Sequence, residues 1–247
     1  QRYNNVWINN SATPSSESDT RSFSFDLIPS SQIENIIIVK SPQPELPADF
    51  SGGFVKVSTK GIPNENSIDA SYGVGINAQT QFRNFSYSKG SSTDFLGFDN
   101  GYRDMNGIAK RLDNNQSSAV DNASKNGFNN NWEIKSRKPI PDQRFAIALN
   151  RKISLGEKTL GLASALNYSY SSRRYSDMKN IQYGVYDNVN DKPVADYNYL
   201  DNQYTTSARL GAMLNLSYIL NNNNRIEFRN LVNQLGQDKY TFRTGED

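Results

Sequence analysis

Aromatic residues set among amides and carboxylates are the side chains of this 247-residue sequence best suited to bind a ligand. Ring faces stack on the apolar faces of sugars or peptides, while neighbouring Asn and Asp side chains supply directional hydrogen bonds. The alternative is that the rings only pack two surface segments against each other. The candidate substrate-binding residues are Phe95, Phe98, Tyr102, Trp132, Tyr183, Tyr186, Tyr197 and Tyr199.

Covalent and acid-base catalysis have few candidates in this sequence. It contains neither His nor Cys, which removes thiol nucleophiles, His-based proton transfer and ordinary zinc sites. Two acidic clusters, Asp99 with Asp104 and Asp187 with Asp191, offer oxygen ligands but lack the spacing of a calcium loop. The sequence therefore predicts no enzyme, no metal site and no cofactor.

The composition also limits the partners. The sequence has 27 basic and 25 acidic residues without a clustered basic stripe, so nucleic acid is not an expected partner. No stretch approaches the roughly 20 apolar residues of a membrane-spanning helix. A hydrophobic content of 36% does not exclude strands that cross a membrane, because such strands alternate apolar and polar side chains.

The elements that must position the aromatic residues are predicted strands with a period of two. Large apolar side chains share one parity, and the other parity is rich in Gly, Ala, Ser and Asn. On this pattern Tyr170 and Ala208 belong to the apolar, lipid-facing side, and Phe82 marks the outer end of the first strand. The predicted strands are 69–82, 144–153, 159–170, 207–220 and 225–242.

The connections between these strands alternate in length. Residues 154–158 and 221–224 form tight links, whereas 83–141 and 173–202 are long. This asymmetry is typical of outer-membrane barrels, which have short periplasmic turns and long extracellular loops.

The first sixty residues differ in pattern from the rest of the chain. The consecutive apolar residues Ile36 to Val39 predict a strand buried on both faces, and prolines follow in the linker after it. Charged side chains in this block are candidates for contacts that hold it against the later strands. These candidates are Asp19, Arg21, Asp26, Lys56 and Lys60.

The first block and the segments after it together resemble the TonB-dependent receptors, most closely their Bacteroidota branch. The resemblance implies an all-β fold with minor α structure in the plug, forming part of a plugged antiparallel transmembrane β-barrel. The matching residues are Arg2-Tyr3-Asn4 with Ile8-Asn9-Asn10, Phe23 to Pro29, Ile33 to Ser41, Pro44 to Phe50, and the strand from Gly52-Gly53 to Thr59-Lys60.

The resemblance also assigns domains to the chain. Residues 1–62 are expected to be the C-terminal part of the plug. Residues 63–247 are expected to be the first five or so strands of a barrel that has about 22 in the full protein, with extracellular loops at 83–141 and 173–202. The sequence is therefore expected to be an internal fragment of a longer receptor.

The function implied by the resemblance is active import of a nutrient, a glycan, peptide or metal chelate, across the outer membrane of a Gram-negative bacterium of the Bacteroidota. Extracellular loops and plug bind the substrate. The implied partners are outer-membrane lipid, a surface lipoprotein, and the TonB-ExbB-ExbD energising complex. That complex pairs as an added strand with an N-terminal box that precedes the residues present here.

Two other classes fit the alternating strands. A passive or structural outer-membrane barrel would not need the plug-like block. A soluble β-sandwich binding module or adhesin would bury one face of its strands in a core. Dependence on detergent separates the sandwich from both membrane classes.

Overall fold

The computed structural model describes residues 4–13, 28, 32–41, 43–47, 53–104, 125, 131, 133–221 and 223–246. These residues are predominantly β-strand, as the sequence predicts. The strands are β1 (Asn4–Ile8), β2 (Ser11–Ala12), β3 (Ile33–Val39), β4 (Gly53–Thr59), β5 (Ser67–Gly75), β6 (Phe85–Ser88), β7 (Ile134–Arg137), β8 (Asp142–Leu155), β9 (Lys158–Asp187), β10 (Lys192–Asn221) and β11 (Asn224–Glu246). A 3-10 helix covers Asp94–Leu96. No helix in the described part of the chain is long and apolar enough to cross a membrane.

The N-terminal strands form a four-stranded sheet in the order β2-β1-β4-β3. Strand β4 is central, parallel to β1 and antiparallel to β3. The prediction that Ile36 to Val39 is buried on both faces is wrong for most of this strand. Ile36, Ile37 and Ile38 are each about half exposed, because β3 lies at the edge of the sheet and pairs, among the described residues, with β4 alone.

The central strand of this sheet carries its core on both faces. Phe54 is fully buried and meets Trp7 edge-on at 5.1 Å between ring centroids, and Leu46 packs against it. Val57 packs on the other side with Ile8 and with Ile28. Alternate residues of one strand thus fill two separate apolar clusters, as the period of two requires.

The five strands expected to form a wall lie in one sheet, in the order β11-β10-β9-β8-β5. Strand β5 runs antiparallel to β8, because Gly73 lies beside Arg144 while Gly75 lies beside Asp142. The link between β8 and β9 is a tight turn in which Gly156 has a φ of +66°, a conformation that glycine adopts without strain. This sheet is open, with β11 and β5 at its edges, so closure into a barrel and the total strand number stay predictions.

Two predicted boundaries were wrong. The long loop expected over 173–202 is instead the outer part of β9 and β10, joined by a short turn at residues 188–191. Both faces of this hairpin are largely exposed, so no apolar alternation marks it in the sequence.

The first predicted strand, 69–82, also ends early, at Gly75. A turn comes after it, in which the Thr80 amide donates to the Asn77 carbonyl at 2.9 Å and Phe82 has a left-handed φ of 64°. The Gln81 side chain fixes this turn by donating to buried Asp142 Oδ1 at 2.9 Å.

Contacts divide the chain into two compact units. Their boundaries differ from the predicted domain boundary at residue 62, and that boundary stays a prediction. The first unit comprises Gln1–Gly73, Arg144–Ser169 and Arg209–Leu235, and the second comprises Val74–Gln143, Tyr170–Ala208 and Gly236–Asp247. Parts of β8 to β11 belong to the first unit. One face of these parts carries small and polar side chains that are buried, such as Ala163, Asn215 and Ser217. Their other face exposes large apolar side chains: Phe145, Ile147, Leu166, Leu214, Ile226, Phe228 and Val232.

Close backbone packing in the first unit depends on Gly161. A Cβ atom at this position would lie 2.9 Å from Ile62 Cα and 3.0 Å from the Gly61 carbonyl oxygen. Backbone atoms cannot rotate away, so we expect Gly161→Ala to lower the free energy of unfolding by about 1–3 kcal/mol. The control is Gly73→Ala, whose new Cβ would have Arg144 Cβ as its nearest neighbour at 3.9 Å. Measured by urea denaturation, the free energy of unfolding of this control should lie within about 0.5 kcal/mol of the wild-type value. Equal losses of stability in the two variants would contradict the close packing at Gly161.

Candidate functional site

The segment between β5 and β8 builds most of the candidate site, within the second unit. Strands β6 and β7 pair antiparallel, with Phe85 opposite Arg137. The 3-10 helix comes after β6, and Gly97 ends it at a φ of 84°. Thr93 Oγ1 donates to the Phe98 carbonyl at 2.7 Å and closes this short turn. Part of the connection predicted as a loop at 83–141 is therefore ordered by local hydrogen bonds.

Arg103 holds this segment in place. Its guanidinium binds Asp94 through both carboxylate oxygens, at 2.7 and 2.6 Å, and Asp99 Oδ1 at 3.0 Å. The hydrogen bonds that Arg103 donates to Asp94 raise the pKa of Arg103 above its ordinary value, against the opposing effect of burial. Asp99 also accepts hydrogen bonds from the backbone amides of Gly101 and Arg103, so its carboxylate stabilises the turn that follows it.

The cavity that this segment covers has a volume of about 470 Å³, which lies within the usual range of small-molecule sites of roughly 300–1,000 Å³. Phe95 and Phe98 line it with half-exposed rings. Arg137, Tyr170 and Asp238 line it from the strands.

Charged groups of both signs face this cavity. The Arg137 guanidinium lies over the rings of Phe85 and Tyr87, 5.5 and 5.0 Å from their centroids, and donates to Thr206 Oγ1 at 2.8 Å. Asp238 supplies a negative charge from β11. The cavity thus combines stacking surfaces with a carboxyl group and a guanidinium, which suits a ligand with an apolar face and polar edges.

The predicted substrate-binding residues are only partly brought together. Phe95 and Phe98 line the cavity, Tyr102 lies in the same segment, and Trp132 lies outside the described residues. Tyr183 is exposed on β9. The other three predicted residues lie in β9 and β10: Tyr186 donates to Asp191 Oδ1 at 2.6 Å, which raises its pKa, and Tyr197 stacks on Tyr199 at 4.9 Å between centroids.

Two residues predicted to face lipid, Tyr170 and Ala208, line the cavity instead. The buried positions of β10 are odd-numbered from Gly211 to Ser217, whereas Thr206 and Ala208 face the cavity. Within the second unit, Asp201, Thr205 and Ala208 are all buried, so burial in this part of β10 does not follow a single parity. A strict period of two could not predict this pattern.

Polar contacts join the N-terminal sheet to β10 and β11 within the first unit, and we name them the latch: Asn9, Thr59, Asn215, Glu227 and Arg229. Arg229 Nη1 donates to Asn9 Oδ1 at 2.6 Å and to the Thr59 carbonyl at 3.2 Å, while Nη2 lies 3.1 Å from Glu227 Oε2. Asn215 Nδ2 donates to Thr59 Oγ1 at 2.7 Å and to the Lys60 carbonyl at 2.9 Å. Asn9 and Thr59 are also bonded to each other.

Of the charged residues predicted to make such contacts, the structure describes Lys56 and Lys60. Lys56 Nζ lies 3.8 Å from Glu45 Oε1, within the N-terminal block itself. Lys60 contacts β10 through its carbonyl oxygen, which accepts a hydrogen bond from Asn215 Nδ2. Asp19, Arg21 and Asp26 lie outside the described residues. Sequence reasoning missed the latch because its members are single residues far apart along the chain.

The acidic cluster at the end of β9 forms a turn. Asp187 Oδ1 accepts bonds from the amides of Val189 and Asn190, and Oδ2 accepts one from Asn190 Nδ2. The bond from the Asn190 side chain lowers the pKa of Asp187. No group of three or more acidic side chains in the described part of the chain is arranged to hold a metal ion.

The ion pair between Asp201 and Arg243 makes stability depend on pH. Arg243 Nε and Nη2 donate to the two oxygens of Asp201 at 2.7 and 2.9 Å, and the hydrogen bond from Arg243 lowers the pKa of Asp201. A carboxyl group with a lowered folded pKa stabilises the fold above its unfolded pKa of about 4, and this contribution is lost as the pH falls through the folded value. We expect Asp201→Asn to be destabilising at pH 7, with a difference from the wild type that shrinks below about pH 4 in urea titrations. A difference that did not change with pH would contradict this.

No protein-family model matches the chain, and no curated protein or solved structure matches it.

Proposed function

We propose that this chain belongs to a TonB-dependent receptor of a bacterial outer membrane, and that it comprises the end of the plug and the first wall strands. The observation that carries the proposal is the distribution of side chains on β8 to β11 in the first unit. Their covered face is small and polar, and their uncovered face is apolar. This is the reverse of a water-soluble sheet, whose apolar face lies in the core, and it suits strands that face lipid.

The contact between the N-terminal sheet and these strands supports a plug. The four-stranded sheet covers the small, polar face, and the latch joins the two through hydrogen bonds. A polar contact can be broken and remade in water more readily than an apolar core, because water replaces the lost hydrogen bonds. The polar contact therefore favours a receptor with a movable plug, rather than a structural or passive barrel.

The cavity covered by the segment after β6 is the proposed binding site of the imported substrate. Phe95 and Phe98 would stack on the substrate, and Arg137 and Asp238 would bind its polar groups. The energising partner would be the TonB-ExbB-ExbD complex.

Uptake measurements test this function. Cells that carry the full-length protein would be offered radiolabelled glycans, peptides and metal chelates, with and without a functional energising complex. We expect one of these classes to accumulate only when both the protein and the complex are present. Accumulation that persists without the complex would indicate a passive barrel, and a full-length protein that stays in aqueous solution without detergent would indicate the β-sandwich module.

A further inference from the structure

The charged side chains that line the cavity of the second unit fall into two groups. Among the described residues there are three basic and three acidic ones: Lys89, Asp94, Asp99, Arg103, Arg137 and Asp238. Arg103 binds Asp94 at 2.6 Å and Asp99 at 3.0 Å, so these three side chains are already engaged with one another. The side chain of Lys89 is exposed to solvent. A ligand in the cavity therefore meets chiefly the charges of Arg137 and Asp238.

Arg137 is held in place, but its charge has no counter-ion among the described residues. The guanidinium lies over the rings of Phe85 and Tyr87, and Nη2 donates to Thr206 Oγ1 at 2.8 Å. Ring faces and a hydroxyl group orient a guanidinium without neutralising it. Its Nη1 atom has no hydrogen-bond partner among the described residues and is not enclosed. The group is therefore free to bind a carboxylate, which a planar guanidinium binds through two parallel hydrogen bonds.

Asp238 presents the opposite charge from β11. Its side chain is partly buried, lines the cavity, and forms no hydrogen bond or ion pair with any described residue. Its carboxylate oxygens are accessible rather than enclosed. A charge that is partly removed from water and lacks a partner is unfavourable, so a ligand that supplies the partner gains binding energy. Arg137 and Asp238 are each fixed on a strand, which suits them to bind a ligand in one orientation.

The three substrate classes of the proposed function differ in how they would meet these two charges. A neutral glycan brings hydroxyl groups and leaves both charges without a counter-ion as water is displaced. A metal chelate of net negative charge would be attracted by Arg137 and repelled by Asp238. A short peptide with free termini carries one carboxylate and one ammonium group, and its side chains can pack on the rings of Phe95 and Phe98.

We propose that this cavity binds a short peptide with free termini, whose carboxylate pairs with Arg137 and whose ammonium group pairs with Asp238. Apolar side chains of the peptide lie against Phe95 and Phe98. The volume of about 470 Å³ is that of a small-molecule site, which limits the peptide to a few residues. The import of this peptide rests on the proposed function, whereas its binding does not.

Binding measurements with chemically blocked peptides test this assignment. The full-length protein in detergent would be dialysed to equilibrium against a mixture of tripeptides, and the retained peptides would be measured by mass spectrometry. The measurement would be repeated with N-acetylated and with C-amidated forms of the same mixture. We expect each blocked mixture to bind at least about tenfold more weakly than the free tripeptides, because it leaves one charge of the cavity without its partner.

Two substitutions connect each end of the peptide to one residue. Asp238→Asn should weaken the binding of free tripeptides at least about tenfold and leave that of the N-acetylated mixture unchanged, because the ammonium group is already absent. Arg137→Gln should weaken the binding of free tripeptides to the same extent and leave that of the C-amidated mixture unchanged. Arg137→Lys keeps the charge but loses the forked geometry, so it should give an intermediate loss, and it serves if the glutamine variant does not fold.

The matched control is Lys239→Gln. This residue follows Asp238 on β11, but it is exposed and does not line the cavity. We expect the control to retain all three mixtures as the wild type does.

Several results would overturn the proposal. Wild-type protein that retains free and blocked tripeptides equally, or retains none, would show that the cavity does not recognise the peptide termini. Equal losses for the free and N-acetylated mixtures in Asp238→Asn would show that this residue supports the cavity and does not bind the ammonium group. Uptake of a glycan by a protein that retains no tripeptide would overturn the peptide assignment alone. Tripeptide binding without energised uptake would contradict the proposed function alone.

Discussion

Replacement of Phe54 by alanine is expected to lower the free energy of unfolding of the N-terminal sheet by about 3–5 kcal/mol. The ring is fully buried in the central strand β4, where it contacts Trp7 and Leu46. Its removal leaves a cavity that the paired strands on both sides of β4 cannot close, since their hydrogen bonds fix the spacing.

Urea denaturation followed by tryptophan fluorescence measures this loss. Trp7 lies 5.1 Å from Phe54, so in a Trp132→Phe background, which removes the second tryptophan of the sequence, its emission reports the N-terminal sheet. The control is Val189→Ala in the turn between β9 and β10, because this side chain is almost fully exposed and leaves no enclosed cavity. We expect the control to cost less than about 1 kcal/mol. A Phe54→Ala protein as stable as the control would show that the N-terminal sheet has no organised core.

Replacement of Arg229 by alanine is expected to lower stability by about 2–3 kcal/mol, because hydrogen bonds from a charged, partly buried group are lost at once. The guanidinium is about one quarter exposed and binds Asn9, the Thr59 carbonyl and Glu227. Since Arg229 is the cation of the latch, its loss also leaves the Glu227 carboxylate without this partner.

The matched control lies on the same strand and pairs with the same carboxylate. Arg225 Nε lies 2.9 Å from Glu227 Oε1, but its side chain is 54% exposed. Exposed ion pairs contribute roughly 0–1 kcal/mol, so we expect Arg225→Ala to be close to neutral in the same denaturation experiment. Equal losses of stability in the two variants would mean that the hydrogen bonds from Arg229 to the N-terminal sheet contribute nothing beyond its ion pair with Glu227.

Periodicity in the sequence was sufficient to locate the strands of the five-stranded sheet but not their ends. Strands β8 and β11 fall where alternating apolar residues predict them. The outer part of β9 and β10 was missed because a hairpin exposed on both faces has no need for apolar alternation. Its order comes from backbone pairing and from turn bonds such as those of Asp187 and Asn190, which hydropathy does not record.

The candidate sites were harder to predict. The aromatic residues Phe95 and Phe98 were found because ring and amide composition marks a loop that can bind. Arg137 and Asp238 were missed because each is a single charge in a strand, and only the fold brings them to one cavity. Asn215 was treated as an ordinary polar position of the small face, and its partners are more than 150 residues away along the chain.

The central claim is that the uncovered apolar face of β10 and β11 lies against lipid while the opposite face lies against a plug. Nitroxide labels at consecutive positions, Ala212→Cys to Leu216→Cys, would measure this in the full-length protein in lipid bilayers by electron paramagnetic resonance. Oxygen, which concentrates in lipid, should relax the labels at 212, 214 and 216 strongly, and the labels at 213 and 215 weakly. Labels at 214 and 216 that respond to a water-soluble nickel complex rather than to oxygen would contradict the claim.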